Sequence, residues 1–297
     1  MHLTMNIDRA IRLIITIIIA SLLVLNSLAS SLDVNSFGNP EQVTIANYNG
    51  DAMEPFITRD GRFLLFNNLN DPSVDTNLHY AERVADTIFI YKGEIEGANT
   101  TALEGVASTD RDNRIYFISP RDYPQTFSTI YQGFFINGKI TDVKLVRGIS
   151  KKRPGRVNFD AEISPDGNTL YFVDSRFGRN GPETADLVIA ERRGKGFRRV
   201  VDSAKILHNI NSEQLEYAPA ISADGRELFF TRFALGSNSP EIYVAIRADA
   251  GAPFGKPIKL TAISGFVEAP TLSPDEKSLY YHKREGSRFV IYRVTRS

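Results

Sequence analysis

The stretch "FDAEISPDGNTLYFVD" at residues 159–174 decides the fold of this chain. Two short apolar runs flank the turn residues Asp166 and Gly167. Aspartate at such a turn bonds its own backbone, and glycine accepts the left-handed conformation that a tight turn needs. Short runs rich in β-branched and aromatic residues are typical of strands. The stretch therefore predicts a strand, a tight turn and a second strand.

The same order of residues occurs four more times along the chain. The other copies are "MEPFITRDGRFLLFNN" (53–68), "LEGVASTDRDNRIYFIS" (103–119), "EYAPAISADGRELFFTR" (216–232) and "EAPTLSPDEKSLYYHK" (268–283). The turn aspartates Asp60, Asp110, Asp166, Asp224 and Asp275 follow one another at intervals of 50, 56, 58 and 51 residues. This spacing exceeds one hairpin and is near that of a four-stranded propeller blade.

Prolines indicate where the first strand of each repeat lies. Pro55, Pro219 and Pro270 fall in that strand, and proline cannot donate to a central ladder. The first strand is therefore expected at an edge, lining a central channel. The fold class predicted is all-β, a single β-propeller of five four-stranded blades, with six blades as the alternative.

The two ends of the chain predict how the ring closes. The last repeat stops after its third strand, while a spare strand, "EQVTIAN" (41–47), precedes the first repeat. If the N-terminal strand completes the last blade, no long edge is left unpaired. The predicted domains are a signal peptide (1–29), a linker (30–40) and a propeller of five WD40-like repeats (41–297).

The N-terminal segment predicts export. Arg9 and Arg12 precede the apolar run 13–25, and Ser27 and Ala29 form the small-x-small pattern that signal peptidase recognises. The run is short for crossing about 30 Å of hydrocarbon. We expect cleavage after Ala29, with an uncleaved anchor as the alternative. In both cases the propeller is periplasmic or secreted, without a membrane span once the signal is removed.

Composition narrows the function classes. The 35 basic and 35 acidic residues cancel, so no global field recruits nucleic acid. The absence of cysteine excludes disulfides and thiol catalysis. The sequence contains no phosphate-binding loop, dinucleotide fingerprint or paired-histidine motif. We predict a monomer without cofactors and without a nucleic-acid partner.

The phrases "EISPDGNTLYFVD", "AISADGRELFFTR" and "APTLSPDEKSLYY" resemble the Pro-Asp, WD-type repeat of the TolB-type propellers found in exported bacterial proteins. The resemblance covers residues 41–297 and is weakest in the second repeat, where "STDRDNRIYF" lacks the proline and the glycine. It implies the propeller fold and an envelope location. It does not carry over the Tol function, because TolB has an α/β domain ahead of its propeller and this chain has no room for one.

Charged residues are predicted to surround one mouth of the channel, at the end where the first strands begin. Carboxylates near those starts form an inner ring of Glu54, Glu104, Asp160, Glu216 and Glu268. An outer ring near the second-strand ends comprises Asn68, Arg121, Arg176, Arg232 and Lys283. The rings are interpreted either as interblade ion pairs or as a polar funnel for a ligand. The ligand-binding candidates are Glu54, Asp160, Arg176, Arg232, Glu268, Lys283, Tyr123 and Phe177.

Two functions are compatible with such a mouth. The first is a non-enzymatic binding or scaffold protein of the bacterial envelope, whose partner is an envelope protein or peptide, or an oligosaccharide. Exposed aromatic residues, Tyr123 and Phe177, are then expected on the same face. The alternative is a glycoside hydrolase that uses the inner-ring carboxylates, as sugar-processing five-bladed propellers do. That alternative is a fold-level analogy, and fold does not fix function.

Three further features have a structural and a functional interpretation. Asp71, Ser73, Asp75 and Asn77 mimic a calcium loop, but Thr76 replaces its glycine, so an ordinary polar loop is the alternative. The basic clusters 151–156 and 192–199 are interpreted as solvated loops on opposite faces. His79, His208 and His282 lack metal-ligand spacing and are interpreted as hydrogen-bonded or surface residues.

Overall fold

The computed structural model describes residues 37–70, 75–179 and 181–296, and these residues are almost entirely in strands and turns. Two strands come first, β1 (Gly38–Gln42) and β2 (Thr44–Ala46). Five units of strands follow, and we number them in chain order. The predicted signal peptide lies outside the described residues.

The units have the following strands. Unit 1 contains β3 (Met53–Ile57), β4 (Phe63–Asn67), β5 (Leu78–Ala85) and β6 (Ile88–Glu94), and unit 2 contains β7 (Gly105–Thr109), β8 (Arg114–Ile118), β9 (Ile130–Ile136) and β10 (Lys139–Leu145). Unit 3 contains β11 (Arg156–Ile163), β12 (Thr169–Gly178), β13 (Gly181–Arg193) and β14 (Gly196–Arg199). Unit 4 contains β15 (Leu215–Ile221), β16 (Glu227–Phe233), β17 (Glu241–Ile246) and β18 (Ile258–Lys259). Unit 5 contains β19 (Val267–Leu272), β20 (Ser278–Glu285) and β21 (Arg288–Thr295).

Within each unit the strands pair antiparallel in chain order, and each unit begins with one copy of the repeated phrase. The first strands, β3, β7, β11, β15 and β19, contact one another in that cyclic order, and β19 contacts β3. These inner strands enclose a channel whose lining includes Pro55, Pro219 and Pro270. The all-β propeller is thus confirmed, with the prolines on the inner strands. We call the end of the channel where the inner strands begin the upper mouth.

The core lies between neighbouring units because both faces of each sheet are buried. In β4, Phe63 and Leu65 pack against residues of unit 2, whereas Leu64 and Phe66 pack against residues of unit 5. Side chains of a strand alternate between the two faces of its sheet. Because β4 is covered on both faces, its sequence is a continuous apolar run at residues 63–66 rather than an alternation of apolar and polar residues.

The N-terminal strand completes unit 5, as the sequence predicts, but with different bounds. β1 pairs antiparallel with β21, and it begins at Gly38, inside the segment predicted as a linker. Residues 44–46 instead pair parallel with β6 of unit 1. The backbone N–H of Val43 donates to the carbonyl of Ile291 over 2.8 Å between the two strands. This one segment therefore joins the first and last units.

The described residues also contain two helices of four residues in an otherwise all-β fold. They are α1 (Tyr123–Thr126) and α2 (Ser203–Ile206), and both lie in connections between strands. In α1, Pro124 occupies the first turn, where its missing N–H costs no hydrogen bond. Neither helix has the length or apolar character needed to cross a bilayer, and the described part of the chain has no other candidate span.

Phe37 tests how much the N-terminal segment stabilises the ring. Phe37 is 4% exposed. Its phenyl ring packs edge to face on that of Phe229, with 5.8 Å between the ring centroids. Replacing a buried phenylalanine with alanine leaves a cavity, so Phe37→Ala should lower the free energy of unfolding by about 3 kcal/mol in urea titrations. The control Val201→Ala, at a side chain 90% exposed, should change it by less than about 0.5 kcal/mol. Equal effects of the two variants would contradict the closure role.

Candidate carboxyl site at the channel mouth

The inner strand of every unit carries a β-bulge at the same position. Each bulge holds one non-glycine residue with φ between 49° and 56°, a conformation that L-residues seldom adopt. A bulge re-aims the side chains beside it. The five bulged residues all line the channel, so their side chains set its chemistry. They are Glu54, Val106, Asp160, Ala218 and Ala269.

The predicted inner ring is therefore divided by the bulges. Glu54 and Asp160 occupy the bulged position, whereas Glu268 lies one residue before Ala269. Glu104 and Glu216 lie two residues before their bulges, and like Glu268 they are absent from the lining of the channel cavity. The structure brings Glu54, Asp160 and Glu268 into electrostatic contact and keeps the other two carboxylates apart.

Glu104 and Glu216 form ion pairs within their own units rather than between units, and their role in binding or catalysis stays a prediction. The Glu216 side chain is fully buried, and its Oε1 accepts from Arg232 Nε at 2.8 Å. Ser212 donates to the same carboxylate through its hydroxyl at 2.6 Å and its backbone N–H at 3.0 Å. The Arg232 guanidinium stacks over Tyr243 at 4.9 Å. Unit 2 repeats the arrangement with Glu104, Arg121, Thr100 and Tyr131.

The other ligand-binding candidates also lie away from the channel lining. Arg176 pairs with Glu183 at 2.9 Å, and both side chains are more than half exposed. Lys283 pairs with Glu285 at 2.7 Å. The candidate aromatics are Tyr123, whose hydroxyl donates to the Arg156 carbonyl at 3.0 Å, and Phe177, which is 38% exposed and packs on Phe159. Their role in binding stays a prediction.

Glu268 is held by two side chains that donate to its carboxylate. Tyr217 donates to Oε1, and the imidazole of His282 lies 3.0 Å from Oε2 through Nε2. The other ring nitrogen, Nδ1, accepts from the backbone N–H of Glu54 at 3.1 Å. Because Nδ1 must be an acceptor there, the proton of a neutral imidazole is on Nε2 and points at Glu268.

Asp160 and Glu54 are less fully bonded. Asp160 Oδ2 accepts from the backbone N–H of Ala218 at 2.9 Å. Glu54 Oε1 lies 3.5 Å from the side-chain amide of Asn70. Glu54 Oε2 is buried and has no hydrogen-bond partner among the described residues. A buried polar atom without a partner is costly for a fold and calls for a functional explanation.

The three carboxyl groups differ in protonation. Burial, reinforced by the charges of Asp160 and Glu268, raises the pKa of Glu54 well above its usual range. Burial, opposed by the Ala218 N–H and assisted by the charge of Glu268, raises the pKa of Asp160 to about 7. Burial alone would also raise the pKa of Glu268, but His282 and Tyr217 outweigh it and the pKa is lowered. Burial and repulsion between the carboxylates thus favour the protonated forms of Glu54 and Asp160, whereas the contacts of Glu268 favour its ionised form.

An ion pair fills the channel beyond this site. Glu162 follows Asp160 along β11 and accepts from Arg59 at 2.7 Å, with both side chains at most 9% exposed. Arg59 also donates to the carbonyls of Thr109 and Ile163 at 3.0 and 2.9 Å. The cavity left in the channel measures about 30 Å³. This volume accommodates a group about the size of one water molecule.

The calcium-loop interpretation stays a prediction, because only part of the loop is described. Asp71 and Ser73 lie outside the described part of the chain. The Asp75 carbonyl accepts from the Asn68 side chain at 2.8 Å, and the Asn77 N–H donates to the same side chain at 2.7 Å. Between residues 37 and 296, excluding 71–74 and 180, no group of three His, Cys, Asp or Glu side chains could hold a metal ion.

The two basic clusters meet at one end, whereas the rest of the second cluster stays at the lower turn of unit 3, where Arg192 donates to the Gly167 carbonyl at 2.6 Å. Lys151 from the first cluster and Arg199 from the second both contact Asp174, at 2.6 and 2.8 Å. The reason is that β14 runs upward from the lower turn of unit 3, where Phe197 pairs with Arg192 and its N–H donates to the Arg147 carbonyl at 2.9 Å. Arg199, at the end of β14, thereby reaches the loop that precedes β11.

Comparisons with known proteins give the fold alone. No known protein family matches the chain, and no curated protein matches it. The catalytic domain of the GH62 α-L-arabinofuranosidase of Coprinopsis cinerea superimposes with a TM-score of 0.53 at 12% identity, over 88% of this chain and 96% of that one. The exo-β-1,3-galactanase 1,3Gal43A of Clostridium thermocellum superimposes with a TM-score of 0.53 at 12% identity, over 84% of this chain and 60% of the galactanase chain. TolB from Acinetobacter baumannii superimposes with a TM-score of 0.48 at 17% identity. The match covers 84% of this chain and 55% of the TolB chain.

The buried ion pair of unit 4 should be structural. Removing one partner of a buried pair leaves the other charge uncompensated, so Arg232→Met should lower the free energy of unfolding by about 3 kcal/mol. The matched control is Arg176→Met, because its pair with Glu183 is exposed and should contribute less than about 1 kcal/mol. Urea titration of both variants measures the difference. Similar losses in the two variants would contradict the assignment.

Asp160 should make stability depend on pH. Its folded pKa of about 7 exceeds the value of about 3.9 expected in an unfolded chain, so the folded protein binds more protons between these values. Its contribution is fully present below about pH 4 and is lost as the pH rises through about 7. The slope is at most about 1.4 kcal/mol per pH unit. In urea titrations from pH 4 to 8, Asp160→Asn should gain stability relative to wild type as the pH rises. Parallel curves would contradict the raised pKa.

Proposed function

We propose that the protein is an exported, non-enzymatic propeller that binds a protein or peptide of the bacterial envelope at the upper mouth of its channel. The observation that carries this proposal is Glu54 Oε2, a buried polar atom without a hydrogen-bond partner in the described residues, beside Asp160 and Glu268. A partner that inserts a cationic group supplies the missing donor and a counter-charge. The predicted signal peptide and the resemblance to TolB-type repeats support an envelope location.

The size of the cavity favours a side-chain tip over a sugar ring. Pockets for small molecules usually measure about 300–1,000 Å³, whereas the channel offers about 30 Å³. An ammonium or guanidinium group on a flexible stem fits such a narrow opening. Lysine or arginine from a peptide is therefore a better occupant than an oligosaccharide.

Protonation of the site couples binding to pH. Burial and carboxylate repulsion raise the pKa of Glu54 well above its usual range and that of Asp160 to about 7, so they oppose ionisation of both groups. A bound cation stabilises the ionised forms and so lowers both pKa values. Binding then releases protons, and affinity for a cationic partner should rise with pH between about 6 and 8.

The glycoside hydrolase alternative is favoured by one observation on the same residues. The surroundings of Glu54 raise its pKa, whereas those of Glu268 lower its pKa. In many hydrolases the carboxyl group with the raised pKa is the acid and the one with the lowered pKa is the base or nucleophile. A hydrolase also needs room for a sugar ring between its two carboxyl groups. The 30 Å³ cavity does not supply that room, so binding is the primary proposal.

Thermal shift with three pentapeptides tests the proposal. Gly-Gly-Lys-Gly-Gly and Gly-Gly-Arg-Gly-Gly are compared with Gly-Gly-Gln-Gly-Gly at pH 6 and pH 8. A ligand at 100 times its Kd stabilises by about 2.7 kcal/mol, which corresponds to several degrees at this chain length. We expect the basic peptides to raise Tm more at pH 8 than at pH 6, and the glutamine peptide to leave it unchanged.

The double variant Glu54→Gln and Glu268→Gln should abolish the shift. The charge-matched control is Glu96→Gln with Glu183→Gln, since both side chains are more than half exposed. Release of 4-nitrophenol from 4-nitrophenyl α-L-arabinofuranoside or β-D-galactoside, lost in Glu54→Gln, would overturn binding in favour of hydrolysis. Equal shifts with all three peptides would also overturn the proposal.

A further inference from the structure

A groove of about 910 Å³ lies on the upper side of unit 2, apart from the channel. Residues 125–128, at the end of α1, form one wall, and residues in the range 144–152, after β10, form the other. Its volume is within the usual range for small-molecule sites. None of the residues that line the channel also lines this groove. It is thus independent of the binding site proposed at the mouth.

The groove is positively charged. Its lining contains Lys144, Arg147 and Lys152 and no aspartate or glutamate. Lys144 pairs with the exposed Asp142. The side chains of Arg147 and Lys152 are exposed, and within the described part of the chain they make neither an ion pair nor a hydrogen bond. A basic patch with free cations on a chain of zero net charge indicates a local anionic ligand.

Neutral side chains in the groove suit a sugar. Phe127 is half-buried and is held edge to face against Tyr123 at 5.8 Å, so its ring is a fixed apolar surface. Gln125 and Ser150 also line the groove. An aromatic face can pack on the C–H face of a sugar ring, whereas amide and hydroxyl groups bond its hydroxyls. Arginine adds bidentate contacts to a carboxylate or sulfate.

The backbone beside the groove argues against an extended acidic peptide. A peptide strand would have to extend the sheet at the outer edge, which is β10. That edge is interrupted by a β-bulge between Thr141 and Lys144, where Asp142 has φ of 55°. Bulges and charged residues on an edge strand discourage pairing with another chain. Recognition in this groove therefore depends on side chains.

We propose that the groove binds a short anionic oligosaccharide. Arg147 and Lys152 contact the acidic groups, and Phe127 packs against a ring face. Carboxylated and sulfated sugars share this chemistry. The site has no part in the peptide-binding function proposed for the channel mouth, and either can fail without the other.

Calorimetric titration of the purified protein tests the proposal. The probes are trigalacturonate as the carboxylated sugar, a heparin-derived tetrasaccharide as the sulfated one and maltotriose as the neutral one. We expect at least one acidic probe to bind at least tenfold more tightly than maltotriose, and that probe identifies the acidic group. Its affinity should fall several-fold between 50 and 300 mM NaCl, because the cations are solvent-exposed.

The variant Arg147→Ala with Lys152→Ala should weaken binding of that probe at least tenfold with an unchanged Tm. Arg111→Ala with Lys256→Ala removes the same charge from exposed positions outside the groove lining and should change affinity less than twofold. Three results would overturn the proposal: no binding of either acidic probe, equal affinity for maltotriose, or equal losses in the two variants. Displacement of a bound acidic probe by pentaglutamate at equal affinity would also overturn it in favour of an acidic peptide.

Discussion

The backbone N–H of the bulged residue in each inner strand is the constraint on which closure of the propeller depends. A buried N–H group requires an acceptor, and the bulge removes the one that a regular ladder would provide. At four junctions a side chain of the preceding unit accepts this N–H, so the hydrogen bond joins one unit to the next. The acceptors are Asn67 for Val106 (3.1 Å), Asp160 for Ala218 (2.9 Å), Thr231 for Ala269 (3.0 Å) and His282 for Glu54 (3.1 Å).

This requirement also arranges the candidate site. His282 accepts the Glu54 N–H, which fixes its tautomer and directs its second nitrogen at Glu268. Asp160 accepts the Ala218 N–H through Oδ2, and its Oδ1 has no hydrogen bond to any residue that the structure describes. The groups that close the ring are therefore the groups that set protonation at the mouth. Because ring closure already holds these side chains, a ligand that enters need not order them, and its binding incurs little of the usual entropic cost.

The sequence predicts the strands well because turn chemistry and apolar runs are local signals, and the prolines correctly identify the inner strands. The site is harder to predict because a bulge inserts a residue without a composition signal. Aligning the repeats by their acidic residues equates Glu54 with Glu268, whereas aligning Pro55 with Pro270 equates Glu54 with Ala269, as the structure does. His282 could have been found, since the antiparallel hairpin around the turn at residue 275 places it opposite Glu268.

A net charge of zero conceals two regions of opposite sign on the upper side of the propeller. The carboxyl groups of the mouth are buried (Asp160) or half-buried (Glu54 and Glu268), and Glu54 and Asp160 line a narrow channel, whereas the cations of the groove are exposed. Salt screens exposed charges strongly and buried charges weakly. Ionic strength should therefore act on the groove and pH on the mouth. Because the two variables act separately, each site can be measured in the intact protein while the other is held constant.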